Sequence, residues 1–168
     1  MVITAGPGDR LPGVGLLVEV PGAPVRQLEY LLLDVNGTLT DRGVLLPGVR
    51  ERIAAVREVL DVRLLTADTY GTLNEVRAVL GGLAAQRVDD GAQKAAVATD
   101  LGAETCAAIG NGANDVSMLR TVALGIAVLG PEGASPQAMQ AADVICPSIL
   151  VALDLLADPR ALAATLRR

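Results

Sequence analysis

Histidine is absent from the 168 residues, and so are tryptophan and phenylalanine; Tyr30 and Tyr70 are the two aromatic side chains. Without histidine, Ser–His–Asp and Cys–His catalysis, imidazole acid–base chemistry and the usual zinc sites all drop out. Without aromatics there is no stacking platform for bases and no aromatic sugar groove. The two cysteines, Cys106 and Cys146, sit in the apolar runs ETCAAIG and DVICPS. They read as buried thiols in a reducing compartment rather than as a disulfide or a metal site. Positive charge is also scarce, with 14 basic against 19 acidic residues and a net charge of −5. That charge carries no electrostatic footprint for nucleic acid or an anionic membrane. Uncharged runs such as Thr121 to Pro131 fall well short of the roughly 20 residues of a membrane span. The N-terminus lacks the basic start and apolar centre of a signal peptide. A cytoplasmic protein with no nucleic-acid and no membrane partner is expected, whose chemistry must run on carboxylates, amides, hydroxyls and lysine.

Apolar residues make up 51% of the chain, enough for a packed globule whose core must be Leu, Val, Ile and Ala. The length fits one domain. Residues 1–13, rich in Gly and Pro, are expected to be a loose N-terminus, and 14–168 a single domain. Leu16–Val20 and Val25–Leu28 flank the turn PGAP and read as a small hairpin. Beyond it, the short apolar runs YLLLDV, VRLLT, AQRV, TCAAIG, LGIAV and DVIC alternate with helical patterns such as GVRERIAAVREVL and AQKAAVATDL. Strands alternating with helices at this spacing predict an α/β fold, a three-layer sandwich around a mostly parallel, Rossmann-like sheet. Near-continuous apolar strands such as LGIAV agree with burial on both faces.

In such sheets ligands bind at the carboxyl ends of the strands, so the residues that follow each run belong together. Asp34, Asn36, Gly37 and Thr38 follow the first core strand. Thr66, Ala67 and Asp68 follow the second, and DDGAQK with Lys94 follows the third. Gly110, Asn111, Gly112, Asn114 and Asp115 follow the fourth. Lys94 is the one lysine among the basic residues; the others are arginine. A position that keeps a compact ammonium in an arginine-rich chain suggests a tight site for a carboxylate or phosphate. A lysine left by chance on a solvated helix face is the alternative. Asp34 could merely cap a turn, and Asn114 or Asp115 could be a helix N-cap.

Taken in order, DVNGTLT, Thr66 in LLTAD, Lys94 and GNGAND resemble the four motifs of the haloacid dehalogenase superfamily of phosphatases and phosphotransferases, from about Tyr30 to Leu156. The GNGAND loop and the later GIAV…AADV segment look most like the phosphorylation domain of P-type ATPases and its soluble relatives. The resemblance implies that Asp34 attacks phosphorus and becomes an aspartyl-phosphate, with Thr66 and Lys94 holding the phosphoryl oxygens. It implies a phosphate cradle of Asn36, Gly37, Thr66, Ala67, Lys94 and Asn114. It implies Mg²⁺ held by Asp34, the backbone carbonyl of Asn36, Asn111 and Asp115.

Two departures matter. Asn36 stands where these phosphatases have an Asp that protonates the leaving group and activates water, help worth about 10²–10⁴-fold. Asn111 replaces a carboxylate that normally ligates the metal. Slow turnover on good leaving groups, such as acyl or aryl phosphates, is the expectation for a small phosphorylated substrate. A fold that has lost efficient turnover and serves as a phosphate- or partner-binding regulator is the second reading. Both replaced positions are Asn-Gly steps, open to deamidation that would restore Asp. Thr40 to Gly48 leaves room only for a short flap turned at DRG, so no cap domain is expected. Capless relatives close the site by forming a homo-oligomer or act on large substrates. The N-terminal hairpin is a candidate oligomer contact or sheet extension.

Overall fold

The computed structural model describes residues 2–3 and 15–167. Its strands are β1 (Val2–Ile3), β2 (Leu16–Val18), β3 (Arg26–Leu28), β4 (Tyr30–Asp34), β5 (Thr40–Asp41), β6 (Val44–Leu45), β7 (Asp61–Thr66), β8 (Ala84–Arg87), β9 (Cys106–Gly110), β10 (Leu124–Val128) and β11 (Val144–Cys146). Its helices are α1 (Val49–Val56), α2 (Leu73–Val79), α3 (Gly91–Leu101), α4 (Val116–Thr121), α5 (Pro136–Ala141), α6 (Ile149–Ala157) and α7 (Pro159–Leu166). The central sheet runs β1-β8-β7-β4-β9-β10-β11. Its six strands from β8 to β11 are mutually parallel, and β1 adds an antiparallel edge. The α/β sandwich read from the alternating pattern is therefore present.

Alternation along the strands sorts the core into two layers. Leu31, Leu33, Val62, Leu64, Ile109 and Ile126 face Val49, Ile53, Val76, Leu153 and Leu162 of α1, α2, α6 and α7. Tyr30, Leu32, Leu65 and Ala108 face Ala98, Met118, Leu119 and Ala138 of α3, α4 and α5. Asp34 shares its parity with Leu32, so its carboxylate leaves β4 toward the α3 and α4 side. The strand order puts β4 at the centre of the sheet, with β7 and β9 on either side. Helix starts are set by side chains that accept from free N–H groups: Asp90 from Gln93 at α3, Ser148 from Val151 at α6, and Asp158 from Arg160 and Ala161 at α7.

The hairpin about PGAP is β2–β3, a separate two-stranded sheet. It does not extend the central sheet, which corrects one of the two expectations for it. Leu16, Val18 and Leu28 turn inward to the core, and apolar burial inside the chain decides where it lies. Of the segment expected to be loose, Val2–Ile3 pairs with β8; the rest of 1–13 lies outside the described residues. The flap is β5–β6, turned at Arg42 and Gly43. Only α2 and β8 lie between Thr66 and α3, so no cap domain is inserted at either place. Both cysteines are free and buried, and burial pushes their thiols up, Cys106 to about 11. Among the described residues no helix is long and apolar enough to cross a membrane.

Candidate active site

Three charged side chains from three elements meet at the carboxyl end of β4. Lys94 Nζ lies 2.6 Å from Asp34 Oδ1 and 2.7 Å from Asp115 Oδ1. All three are buried, at 1%, 4% and 0% exposure. Charges at that depth persist only when paired and hydrogen-bonded. Lys94 reaches inward from the first turns of α3, and Asp115 enters from the loop after β9. An ammonium carries three donors and two are spent on these carboxylates, which leaves one for an incoming oxygen. Burial works against the Lys94 ammonium, but Asp34 and Asp115 outweigh it and raise its pKa. Burial, and then the charge of Asp115, push the Asp34 carboxyl up to about 6 against the pull of Lys94.

Asp115 has both oxygens engaged. Oδ1 holds Lys94, and Oδ2 accepts from the backbone N–H of Asn111 at 3.0 Å and of Gly112 at 2.9 Å. Besides the metal-ligand role expected for it, Asp115 thus acts as a clamp that closes its own loop and aims the lysine. Gly110 permits this, because a Cβ there would stand 2.4 Å from Asp115 Cγ. The Gly37 N–H, expected to face phosphate, donates to the Thr40 carbonyl at 3.1 Å. A Cβ at Gly37 would stand 2.8 Å from Asn111 Nδ2, so the close approach of these two loops needs glycine here. The Gly37 bond to Thr40, and that of Gly112 to Asp115, occupy the two amide nitrogens that would have to attack Asn36 and Asn111 in deamidation. The Asn111 amide is itself held, with Nδ2 donating to the Gly133 carbonyl at 2.9 Å.

Thr66 is buried at the end of β7. Its Oγ1 accepts from Asp68 N–H at 2.9 Å and from Asn36 Nδ2 at 3.3 Å. With both lone pairs used, the hydroxyl keeps its hydrogen for another acceptor, as a phosphoryl contact requires. Ala67 is exposed just past it. Asn114 is also exposed, with its carbonyl against Gly91 and its side chain against Gly112, and it is not joined to the Asp34 cluster.

Thr38 was not singled out as a site residue from sequence, and it belongs there. Its Oγ1 lies 3.0 Å from Asp34 Oδ2 and 3.1 Å from Asn111 Oδ1. One hydroxyl hydrogen faces two acceptors, so one of these oxygens is left without a donor. This surplus of hard oxygen acceptors fits a small divalent cation. Asp34 Oδ2, Asn111 Oδ1 and the Asn36 carbonyl are the residues that would hold Mg²⁺, which commonly takes one or two carboxylates and completes its shell with water and substrate phosphate. Among the described residues no group of three or more His, Cys, Asp or Glu is placed to hold a metal, so the donor set is light in charge.

Comparison with known proteins agrees with this geometry. A model of the haloacid dehalogenase-like hydrolase family matches residues 89–149. An uncharacterised protein of Methanocaldococcus jannaschii is 45% identical over 60 residues, 36% of this chain and 64% of its own length. The chain thus spans under two thirds of that relative. The 3-deoxy-D-manno-octulosonate 8-phosphate phosphatase of Moraxella catarrhalis, solved with magnesium, phosphate and the sugar acid, superposes with a TM-score of 0.63. It is 17% identical and the match covers 83% of this chain and 94% of that one. The cobalt-bound octulosonate 8-phosphate phosphatase of Haemophilus influenzae gives 0.62 at 16% identity, over 84% and 94%. The matched segment carries Lys94 and the Asn111–Asp115 loop; over that segment the chain is similar to haloacid dehalogenase-like hydrolases, and it shares its fold with the two phosphatases.

Proposed function

We propose that the chain is a Mg²⁺-dependent phosphohydrolase or phosphotransferase of small phosphorylated substrates, working through an aspartyl-phosphate on Asp34. The observation that carries this reading is the buried Asp34–Lys94–Asp115 chain of contacts at the carboxyl end of β4, with one ammonium clamped between two carboxylates. The two octulosonate 8-phosphate phosphatases that share this fold point the same way. Asp34 attacks phosphorus, and Lys94 takes a phosphoryl oxygen with its third N–H while Thr66 donates its hydroxyl to another. Mg²⁺, held as described, would supply charge that offsets repulsion between the carboxylate and the phosphate. The Asn36 amide neither gives nor takes a proton, so turnover is slow and favours acyl and aryl phosphates, whose leaving groups need little protonation. Within the family we place the chain with the soluble relatives of the P-type ATPase phosphorylation domain, on the strength of GNGAND and GIAV…AADV, and in the cytoplasm.

A phosphatase panel with and without Mg²⁺ tests this. Acetyl phosphate and an aryl phosphate should turn over faster than a simple alkyl phosphate, and Asp34→Asn should abolish all three. Equal rates on alkyl and acyl substrates, or activity that survives in Asp34→Asn, would contradict it. The lost carboxylates at Asn36 and Asn111 favour the second reading, a phosphate-binding regulator, which the panel separates by finding binding without turnover.

A further inference from the structure

A good leaving group dispenses with an acid, but breakdown of an aspartyl-phosphate still needs a base to take the proton of water. Asn36 is no base, and its Nδ2 is committed to Thr66. A carboxylate from another loop lies beside Gly37, the residue that follows Asn36. Glu132 sits in the turn Gly130–Gly133 that follows β10, closed by a Gly133 N–H to Gly130 carbonyl bond of 3.0 Å. The turn is tied to the site through Asn111, whose Nδ2 donates to Gly133 O and whose carbonyl accepts from Ser135 N–H at 2.8 Å. It is pressed onto the loop after β4 so closely that a Cβ on Gly130 would stand 1.8 Å from the Gly37 carbonyl.

From there the Glu132 side chain crosses the end of β9 to the loops after β4 and β7. Its Oε1 accepts from the Arg42 backbone N–H at 2.9 Å and from the Tyr70 hydroxyl at 3.4 Å. Its Oε2 takes part in none of these bonds. It lies 3.2 Å from where a Gly37 Cβ would be, and Gly37 follows Asn36 in the chain. In the flanking ion pair the Arg42 side chain is exposed, while Asp41 is half-buried. One oxygen of Glu132 is thus anchored and the other is open beside the loop that normally carries the acid–base group.

We propose that Glu132 is the general base for hydrolysis of the aspartyl-phosphate, acting from the β10 loop in place of the amide at Asn36. The inference rests on the aspartyl-phosphate reading of Asp34. Water attacks phosphorus as its proton passes to Glu132 Oε2. The bond from phosphorus to the Asp34 oxygen breaks and its electron pair returns to Asp34 as carboxylate. Inorganic phosphate leaves, and Glu132 releases the proton to solvent.

The test is the lifetime of phosphoenzyme formed from labelled acetyl phosphate in the presence of Mg²⁺. Glu132→Gln keeps an oxygen to accept from Arg42 and Tyr70, so a merely structural role survives it while proton transfer does not. The phosphoenzyme should still form and its breakdown should slow by about 100-fold, with Asn36→Asp in the same chain restoring the rate. Equal lifetimes in wild type and Glu132→Gln would overturn the role of Glu132 and leave the Asp34 reading standing. No phosphoenzyme in the wild type would overturn that reading, and this inference with it.

Discussion

At the scale of the residue, one ammonium serves two carboxylates. Lys94, Asp34 and Asp115 together carry one net negative charge in a place nearly closed to water. Removing the ammonium leaves two buried carboxylates uncompensated, and breaking a buried pair in this way costs about 3–5 kcal/mol. Lys94→Met should therefore lower the unfolding free energy by about that much in urea denaturation; a loss under about 1 kcal/mol would show that the cluster opens to water. Asp34 behaves in the opposite sense. Its folded value of about 6 lies above its unbonded value of 3.8, so the folded chain holds this proton more tightly than the unfolded one. The ionised carboxylate is a cost that is present in full above about pH 6 and fades as pH falls toward 3.8. In metal-free buffer at pH 7.5, the stability of Asp34→Asn relative to wild type should be greater than it is at pH 4. The gap should close as pH drops below 6, while activity falls as the nucleophile is protonated. A gap that is constant with pH would contradict the shift.

At the scale of the element, α3 and the loop after β9 must approach closely for Lys94 to meet Asp115. Gly91 opens α3, and a Cβ there would stand 2.6 Å from the Asn114 carbonyl. Gly91→Ala should push the helix start away from the loop, cost about 1–3 kcal/mol, and weaken phosphate binding in calorimetry; unchanged binding would show that the helix can shift without loss. This geometry explains what was legible in sequence and what was not. Asp34, Thr66 and Lys94 could be found because strand ends and one isolated lysine are local signals. The clamp role of Asp115 could not, because it depends on which backbone N–H groups its loop turns inward. Thr38 was in view beside Asp34, but only the fold brings Asn111 to its hydroxyl. Glu132 also lies at a strand end: it is an acid in a Gly-Pro turn at the carboxyl end of LGIAV, like the other four.

At the scale of the molecule, the parallel sheet agrees with the alternating pattern, and β4 at its centre, between β7 and β9, brings Asp34 together with Lys94 of α3 and Asp115 of the loop after β9. No cap domain is inserted beside the site, but Asp34 is itself only 4% exposed, so a phosphate must part the loops around it to reach the carboxylate. The claim on which the rest depends is that Asp34 accepts a phosphoryl group in this setting. Beryllofluoride, which mimics an aspartyl-phosphate, tests it without requiring turnover. Fluorine NMR of the full chain with Mg²⁺ should show bound beryllofluoride resonances in the wild type that are lost in Asp34→Asn. Resonances that are absent from the wild type, or that persist in Asp34→Asn, would contradict it.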